Sequence, residues 1–310
     1  MLSERSYEVK IMKKRKAGKY ILIALAGVTA AVPTVELFYY PRYVRDKKLL
    51  TLQAPAPSDT VTVVSANARC WSPTDLFRRS WFYRARLLIE TVAAESPDVI
   101  GFQEVTPMHE RFLNAVLSGY GHVLQYRDKS PLSEACLLYY SLARFEAADT
   151  GSFWLSDTPD EMSKYEGAGY HRVCTWALLR DRTTGKETLY MNTHLDNVSD
   201  DARIKGINVI LEKLSAFGDV PVVLMGDLNT GEQGKTYLAA TAAFDDAKYL
   251  APETEAGATF QGFGTRSGGQ NIDYFMVSKT GVEPLLYRIL RTTYDGAYPS
   301  DHYPIALTLR

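Results

Sequence analysis

The stretch Val222-Val223-Leu224-Met225-Gly226-Asp227-Leu228-Asn229 limits the fold more than any other part of the chain. Four consecutive apolar residues read as a buried strand. The run meets a glycine and then sets a carboxylate and an amide two positions apart. In extended chain such positions point the same way, so Asp227 and Asn229 face one place at the strand's carboxyl end. An acid that can bind a hard cation, beside an amide that can orient an oxyanion, suits phosphate chemistry. The same residues also make a good turn, and on this stretch alone the two readings stand level.

The pattern recurs along the chain. Thr60 to Ala66 alternates like a strand and delivers Asn67. Val99 to Gln103 is a second buried strand with Glu104 at its exit. A strand over Ala135–Tyr140 follows Glu134. Arg172–Asp181 and Glu187–His194 read as a hairpin around Thr183-Thr184-Gly185, ending at Asn192-Thr193-His194. Asn271–Val277 carries Asp273 near its start, and Ser300-Asp301-His302 precedes a strand over Ile305–Leu309. Between these lie amphipathic helices over Arg84–Ala94 and Met108–Leu117, and a third capped by Ser199 with Asp200 and Asp201 in its first turn. In α/β sheets, strand ends converge on one crevice where ligands bind. One strand-end acid is noise. Asn67, Glu104, His194, Asp227, Asn229, Asp273, Asp301 and His302 together indicate a site.

Charge is unevenly spread. Residues 1–50 carry a net +7 and the chain as a whole −1, which leaves −8 on the remainder. So acidic a main domain has no broad footprint for a polyanion, although a local site can still be basic. Lys13-Lys14-Arg15-Lys16 precedes an uncharged run from Tyr20 to Val35, the pattern of a signal sequence or membrane anchor. The run is short of the roughly 20 residues of a full span unless it extends to Tyr40. Residues 1–40 are therefore expected to target or anchor the chain, 41–59 to form a linker containing Ala54-Pro55-Ala56-Pro57, and 60–310 to fold outside the cytoplasm. Cys70, Cys136 and Cys174 show no paired spacing and read as buried thiols rather than disulfides or a zinc cluster.

Asn67 after its strand, Gln103-Glu104-Val105, Asn192-Thr193-His194-Leu195-Asp196, Gly226-Asp227-Leu228-Asn229, Ile272-Asp273-Tyr274 and Ser300-Asp301-His302 resemble, in order, the motifs of the endonuclease/exonuclease/phosphatase (DNase I-like) superfamily. Phe153-Trp154-Leu155-Ser156-Asp157-Thr158-Pro159 further resembles a bacterial branch of it. The resemblance implies an α/β fold, a four-layer α/β/β/α sandwich of two mixed β-sheets. It also implies phosphoester hydrolysis dependent on Mg²⁺, with Mn²⁺ as a substitute. Glu104 and Asp301 would be the metal ligands, with Asn67 helping at the rim. Asp227 and Asn229 would orient the attacking water. His194 and His302 would contact phosphoryl oxygens or move protons, with Glu134 serving His194 and Asp273 serving His302. Arg172, like Asn229 and His194, would bind substrate phosphate. Arg69 stands where some repair nucleases carry an acid, which weakens an abasic-site nuclease reading and could add positive charge for phosphate. The glycine-rich stretch Thr259–Gly269 lacks the P-loop ending and reads as a mobile rim. His109, His122 and His171 have no motif.

The expectation is a monomeric bacterial phosphodiesterase rather than a monoesterase. Its substrate would be nucleic acid or a phospholipid head group, of the sphingomyelin or phosphoinositide type, with the N-terminal segment meeting the membrane if uncleaved. The rival of another class is a non-catalytic binding protein on the same fold.

Overall fold

The computed structural model describes residues 38–310; the expected signal or anchor segment lies almost wholly outside them. Two β-sheets face each other with helices outside. One has seven strands in the order β10 (Glu253–Thr254), β12 (Pro284–Ile289), β13 (Ile305–Leu309), β1 (Val61–Asn67), β2 (Val99–Val105), β4 (Ala135–Ser141), β3 (Tyr120–Tyr126). The other has six, in the order β5 (Phe145–Trp154), β6 (Val173–Asp181), β7 (Glu187–His194), β8 (Val222–Asp227), β11 (Asp273–Ser278), β9 (Phe244–Asp246). Both are mixed: β1–β2 and β7–β8 are parallel, and most other pairs antiparallel. Helices α1 (38–49), α2 (Trp81–Ala93) and α3 (Pro107–Val116) cover the first sheet, while α4 (Asp200–Leu214) and α5 (Lys235–Ala243) cover the second. The short α6 (Ala247–Leu250) follows β9. No helix among the described residues is long and apolar enough to cross a membrane.

The continuous apolar strands follow from this layering. Leu224 and Met276 pack under α4 and α5, while Val223, Met225, Phe275 and Val277 pack between the sheets. Likewise Val64, Ile100 and Leu137 face α2 and α3, while Val63, Val99 and Leu138 face the other sheet. Each central strand is dry on both faces, so it shows no polar alternation.

The face between the sheets changes character along the strands. Past Val63, Val99, Tyr190 and Val223 comes a polar layer. Asn192 of β7 donates to Phe102 O (2.9 Å) and Leu137 O (3.1 Å) of the opposite sheet. Gln103 donates to Asn192 Oδ1 (2.7 Å) and Ser65 Oγ (3.1 Å). A β-bulge frees those carbonyls: Phe102 pairs with Leu137, but Val105 pairs with Ala135, so β2 holds one extra residue. Glu104 sits at the bulge with φ +59°. That left-handed backbone returns its side chain to the face that Gln103 occupies.

Two expectations change here. Residues 41–59 are not a free linker. Residues 38–49 are helical, and Tyr43 is buried on Phe112 with its hydroxyl donating to Met108 O (3.1 Å). Leu52 is also buried, its N–H on Val116 O (2.8 Å). The basic residues suggested a spacer, but the aromatic ones between them dock. Helix α2 begins at Trp81 rather than Arg84, because Ser80 accepts the Phe82 N–H and caps it.

Replacing Asn192 with leucine strands the Phe102 and Leu137 carbonyls and the Gln103 amide. Urea unfolding should show a loss of about 3–5 kcal/mol, with Tm lower by about 10 °C. A loss under about 1 kcal/mol would deny the layer this role.

Candidate active site

Strand register gathers the polar residues. His194 stands beside Asp227 in the β7–β8 pair, and Asp227 opposite Asp273 in the β8–β11 pair. In the other sheet Asn67 pairs with Gln103, next to Glu104. Gly226 permits the close approach of β8 to β7. Its φ is +142°, and a Cβ there would lie 1.9 Å from Thr193 O. All these side chains sit at the open end of the space between the sheets. They line or underlie a cavity of about 300 Å³ bounded by Arg69, Arg127, Arg172, Tyr170 and Phe260.

Asp227 is the hub. Its Oδ1 accepts the Asn229 N–H (2.9 Å). Its Oδ2 accepts the Asn67 amide (3.2 Å) and lies 3.5 Å from His194 Nε2 and 3.8 Å from His302 Nε2. His302 Nδ1 bonds Asp273 Oδ2 at 2.9 Å, so the expected Asp273–His302 pair is present. Glu104 accepts from Asn67 Nδ2 (3.0 Å) and Cys70 N (2.8 Å). Asp301 faces Arg69 Nη1 at 3.5 Å.

Three placements differ from expectation. Glu134 meets Arg127 (2.8 Å), and the carboxylate against His194 is Asp227. The two arginines of this wall, unseen together in the sequence, draw Glu134 to themselves. Asn67 is fully buried beneath Glu104 and Asp227 rather than at the rim, with its oxygen on the Arg69 N–H (2.9 Å). The start of the glycine-rich stretch is fastened: Gln261 and Gly262 donate to Asp301 O, and the Thr259 hydroxyl accepts the Asp273 N–H. Arg172 does reach the cavity. It donates to Asn197 Oδ1 (3.1 Å), and its buried Nε has no hydrogen bond.

Arg127 and Tyr170 are lining residues that the sequence reading missed. The Arg127 guanidinium lies 4.4 Å from the Tyr170 ring centre. Neither belongs to a motif; the only signal is that both flank short strands, which is weak. His109 is a core residue, stacked on Trp81 and in contact with Arg69 O (3.1 Å).

Burial pushes Asp227 up, and the Asp273 charge adds to it, to about 7. Asp301 is raised by burial and then by Glu104. Burial works against a charged His302, but the charge and hydrogen bond of Asp273 outweigh it and raise the imidazole to about 10. Burial and Arg172 push His194 well below its ordinary value, so it is neutral. Glu104 lies below the usual carboxylate range although burial opposes this. Charge on His194 would help hold it there, but with that ring neutral the Cys70 N–H, the Asn67 amide and the charge on His302 carry the effect. Asp227 and Asp301, raised by burial and by neighbouring carboxylates, mark a site short of positive charge, which a divalent cation would supply. Glu104 and Asp301 offer cavity-facing oxygens for one. Asp227, Asp273 and His302 also place ligand atoms within 4.8 Å of one another, but the His302–Asp273 hydrogen bond already occupies one nitrogen.

The sequence profile of the Endonuclease/Exonuclease/phosphatase family matches residues 74–302, and the chain belongs to that family. Its members hydrolyse phosphoester bonds, typically with a divalent metal. A Bacteroides vulgatus endonuclease/exonuclease/phosphatase is 28% identical with a TM-score of 0.76, covering 82% of this chain and 99% of that one. An Enterococcus faecalis protein of unknown function is 29% identical, with a TM-score of 0.75 over 81% and 99%. A Bacteroides thetaiotaomicron mannosyl-6-phosphatase is 27% identical, with a TM-score of 0.73 over 81% and 99%. The stretch matched in two curated sequence relatives spans 60% and 35% of their lengths.

Asp196 fixes the wall that carries Arg172. Its Oδ1 accepts from Val198 N (2.9 Å) and Ser199 N (2.8 Å), and its Oδ2 from Tyr170 N (3.2 Å). Burial opposes its charge, but these N–H groups lower the carboxyl below 3.8. A lowered folded-state value gives stability that is full above about pH 5 and lost as pH falls through it. Asp196→Ala should therefore cost about 2–4 kcal/mol at pH 7, with the gap from wild type narrowing below about pH 4. A gap that does not change with pH in urea titrations would contradict this.

Proposed function

We propose that the protein hydrolyses a compact, polar phosphate monoester with the help of a divalent cation. The observation that carries this reading is the cavity itself. Arg69, Arg127 and Arg172 share about 300 Å³ with the catalytic carboxylates. A terminal phosphate dianion has three free oxygens and calls for more positive charge than a diester, and fork-shaped guanidinium groups suit it. Arg172 lines the cavity while its Nε faces Asp196 Oδ2 at 3.9 Å, which holds the guanidinium in place there. The acidic remainder of the domain disfavours a long polyanion. The mannosyl-6-phosphatase among the similar structures supports the same direction. The diester favoured by the sequence alone becomes the second choice.

A divalent ion held by Glu104 and Asp301 would polarise the phosphoryl group and stabilise the leaving oxygen. The other roles belong to the chain. Asn67 holds Glu104 and Asp227 in place. Asp227, oriented by the Asn229 N–H, takes the proton of the attacking water, and a value near 7 suits that task. His302 keeps its proton through Asp273 and can deliver it to the leaving oxygen. Neutral His194 contacts a phosphoryl oxygen, and Arg172 with Arg127 clamps the others.

The full chain with Mg²⁺ should be assayed on sugar phosphates, a simple diester, DNA, RNA, sphingomyelin and a phosphoinositide. Monoester turnover is expected, abolished by EDTA and reduced about 10³-fold or more in kcat by Asp227→Asn. Arg172→Ala should raise KM about tenfold or more. Cleavage of nucleic acid or lipid alone, lost in both controls, would replace the monoester with a diester. Phosphoester binding without turnover, unaffected by Asp227→Asn, would make this a binding protein.

A further inference from the structure

Helix α1 gives the domain a face unlike the rest of its surface. It carries Arg42, Arg45, Lys47 and Lys48 against the single acid Asp46. Asp46 is buried and already engaged by Arg42, Arg45 and Arg86. Tyr40, Val44, Lys47 and Lys48 fall on one helical face, and with Phe82, Met108 and Arg111 they line an open groove of about 510 Å³ between α1, α2 and α3. Its floor is aromatic, with the Tyr40 and Phe82 rings 5.4 Å apart. Among the described residues no ion pair engages Lys47, Lys48 or Arg111. Phe38 and Leu49 are 77% and 73% exposed.

Three cations with no ion-pair partner among the described residues, set around an aromatic floor and flanked by exposed apolar side chains, have the chemistry of a membrane interface. Lysine and arginine stems cover apolar surface while their heads reach phosphates, and tyrosine sits well at head-group depth. We infer that the α1–α3 groove docks on an anionic lipid surface. Two further observations favour this occupant. The face is basic while residues 51–310 are net acidic, so attraction to an anionic bilayer is local to it. The uncharged run Tyr20–Val35 ends just before α1 in the chain. Tyr43 and Leu52 fix α1 rigidly to the domain, so contact through this face would set the domain's orientation on the bilayer. This inference does not depend on the substrate.

The test is amide hydrogen exchange on the full chain in nanodiscs. Amides of residues 39–49 and 108–116 should exchange at least about fivefold more slowly with about 30% anionic lipid than in purely zwitterionic discs. The difference should vanish in about 0.5 M NaCl, where screening acts within about 4 Å. The combined Lys47→Glu, Lys48→Glu and Arg111→Glu variant should lose it too, while its Tm stays within about 2 °C of wild type as expected for surface changes. Equal exchange in both kinds of disc would overturn the proposal. So would protection that is indifferent to lipid charge and grows with protein concentration, because a second copy would then be the occupant.

Discussion

The site depends on a pair of amides. Asn192 crosses from one sheet to the other and fills two carbonyls left open by the bulge in β2, and Gln103 returns a hydrogen bond to it. Below this layer the space between the sheets is apolar and close-packed. Above it, the same alternating positions carry Asn67, His194, Asp227 and Asp273. The amides thus separate core from chemistry. They also fix the distance between two sheets that each supply half of the polar groups. Gly226 sets a matching limit within the second sheet, since any side chain there would strike Thr193 O.

This arrangement gathers charge that could not persist alone. Asp227, Asp273 and Asp301 are buried beside the half-buried Glu104, and Asp227 and Asp301 are raised by burial first and by neighbouring carboxylates second. Desolvation penalises each charge, and mutual repulsion adds to the cost. Arg69 beside Asp301 and His302 beside Asp273 offset part of it. The opposite wall is basic, with Arg127 and Arg172 packed about Tyr170. One side of the cavity favours a cation and the other a phosphate, and the reacting bond would lie between them.

Much of this was legible in the sequence because strands deliver residues at fixed positions. A buried strand that ends on Asp, His or Glu places that residue at a sheet edge whatever the rest of the fold does. The hairpin over Arg172–His194 and the helix capped by Ser199 also follow from local rules. Interactions between side chains distant in sequence were harder to read. Glu134 lies near His194 along the cavity, but only the folded wall shows that Arg127 claims it. Strands β3 and β5 went unassigned because they are sheet edges with many half-exposed polar residues, so their apolar contrast is low. The spacer reading of residues 41–59 failed for a related reason: charge dominates that stretch, while Tyr43 and Leu52 decide where it packs.

The central claim is that Glu104 of β2 and Asp301, just before β13, hold a cation at one edge of the seven-stranded sheet. Calorimetric titration of the substrate-free protein with Mn²⁺ tests it most directly. The account predicts one bound ion, at least about tenfold weaker after Glu104→Gln or Asp301→Asn and little changed after Asp273→Asn. Binding that survives Glu104→Gln but disappears in Asp273→Asn would contradict it and place the ion among Asp227, Asp273 and His302.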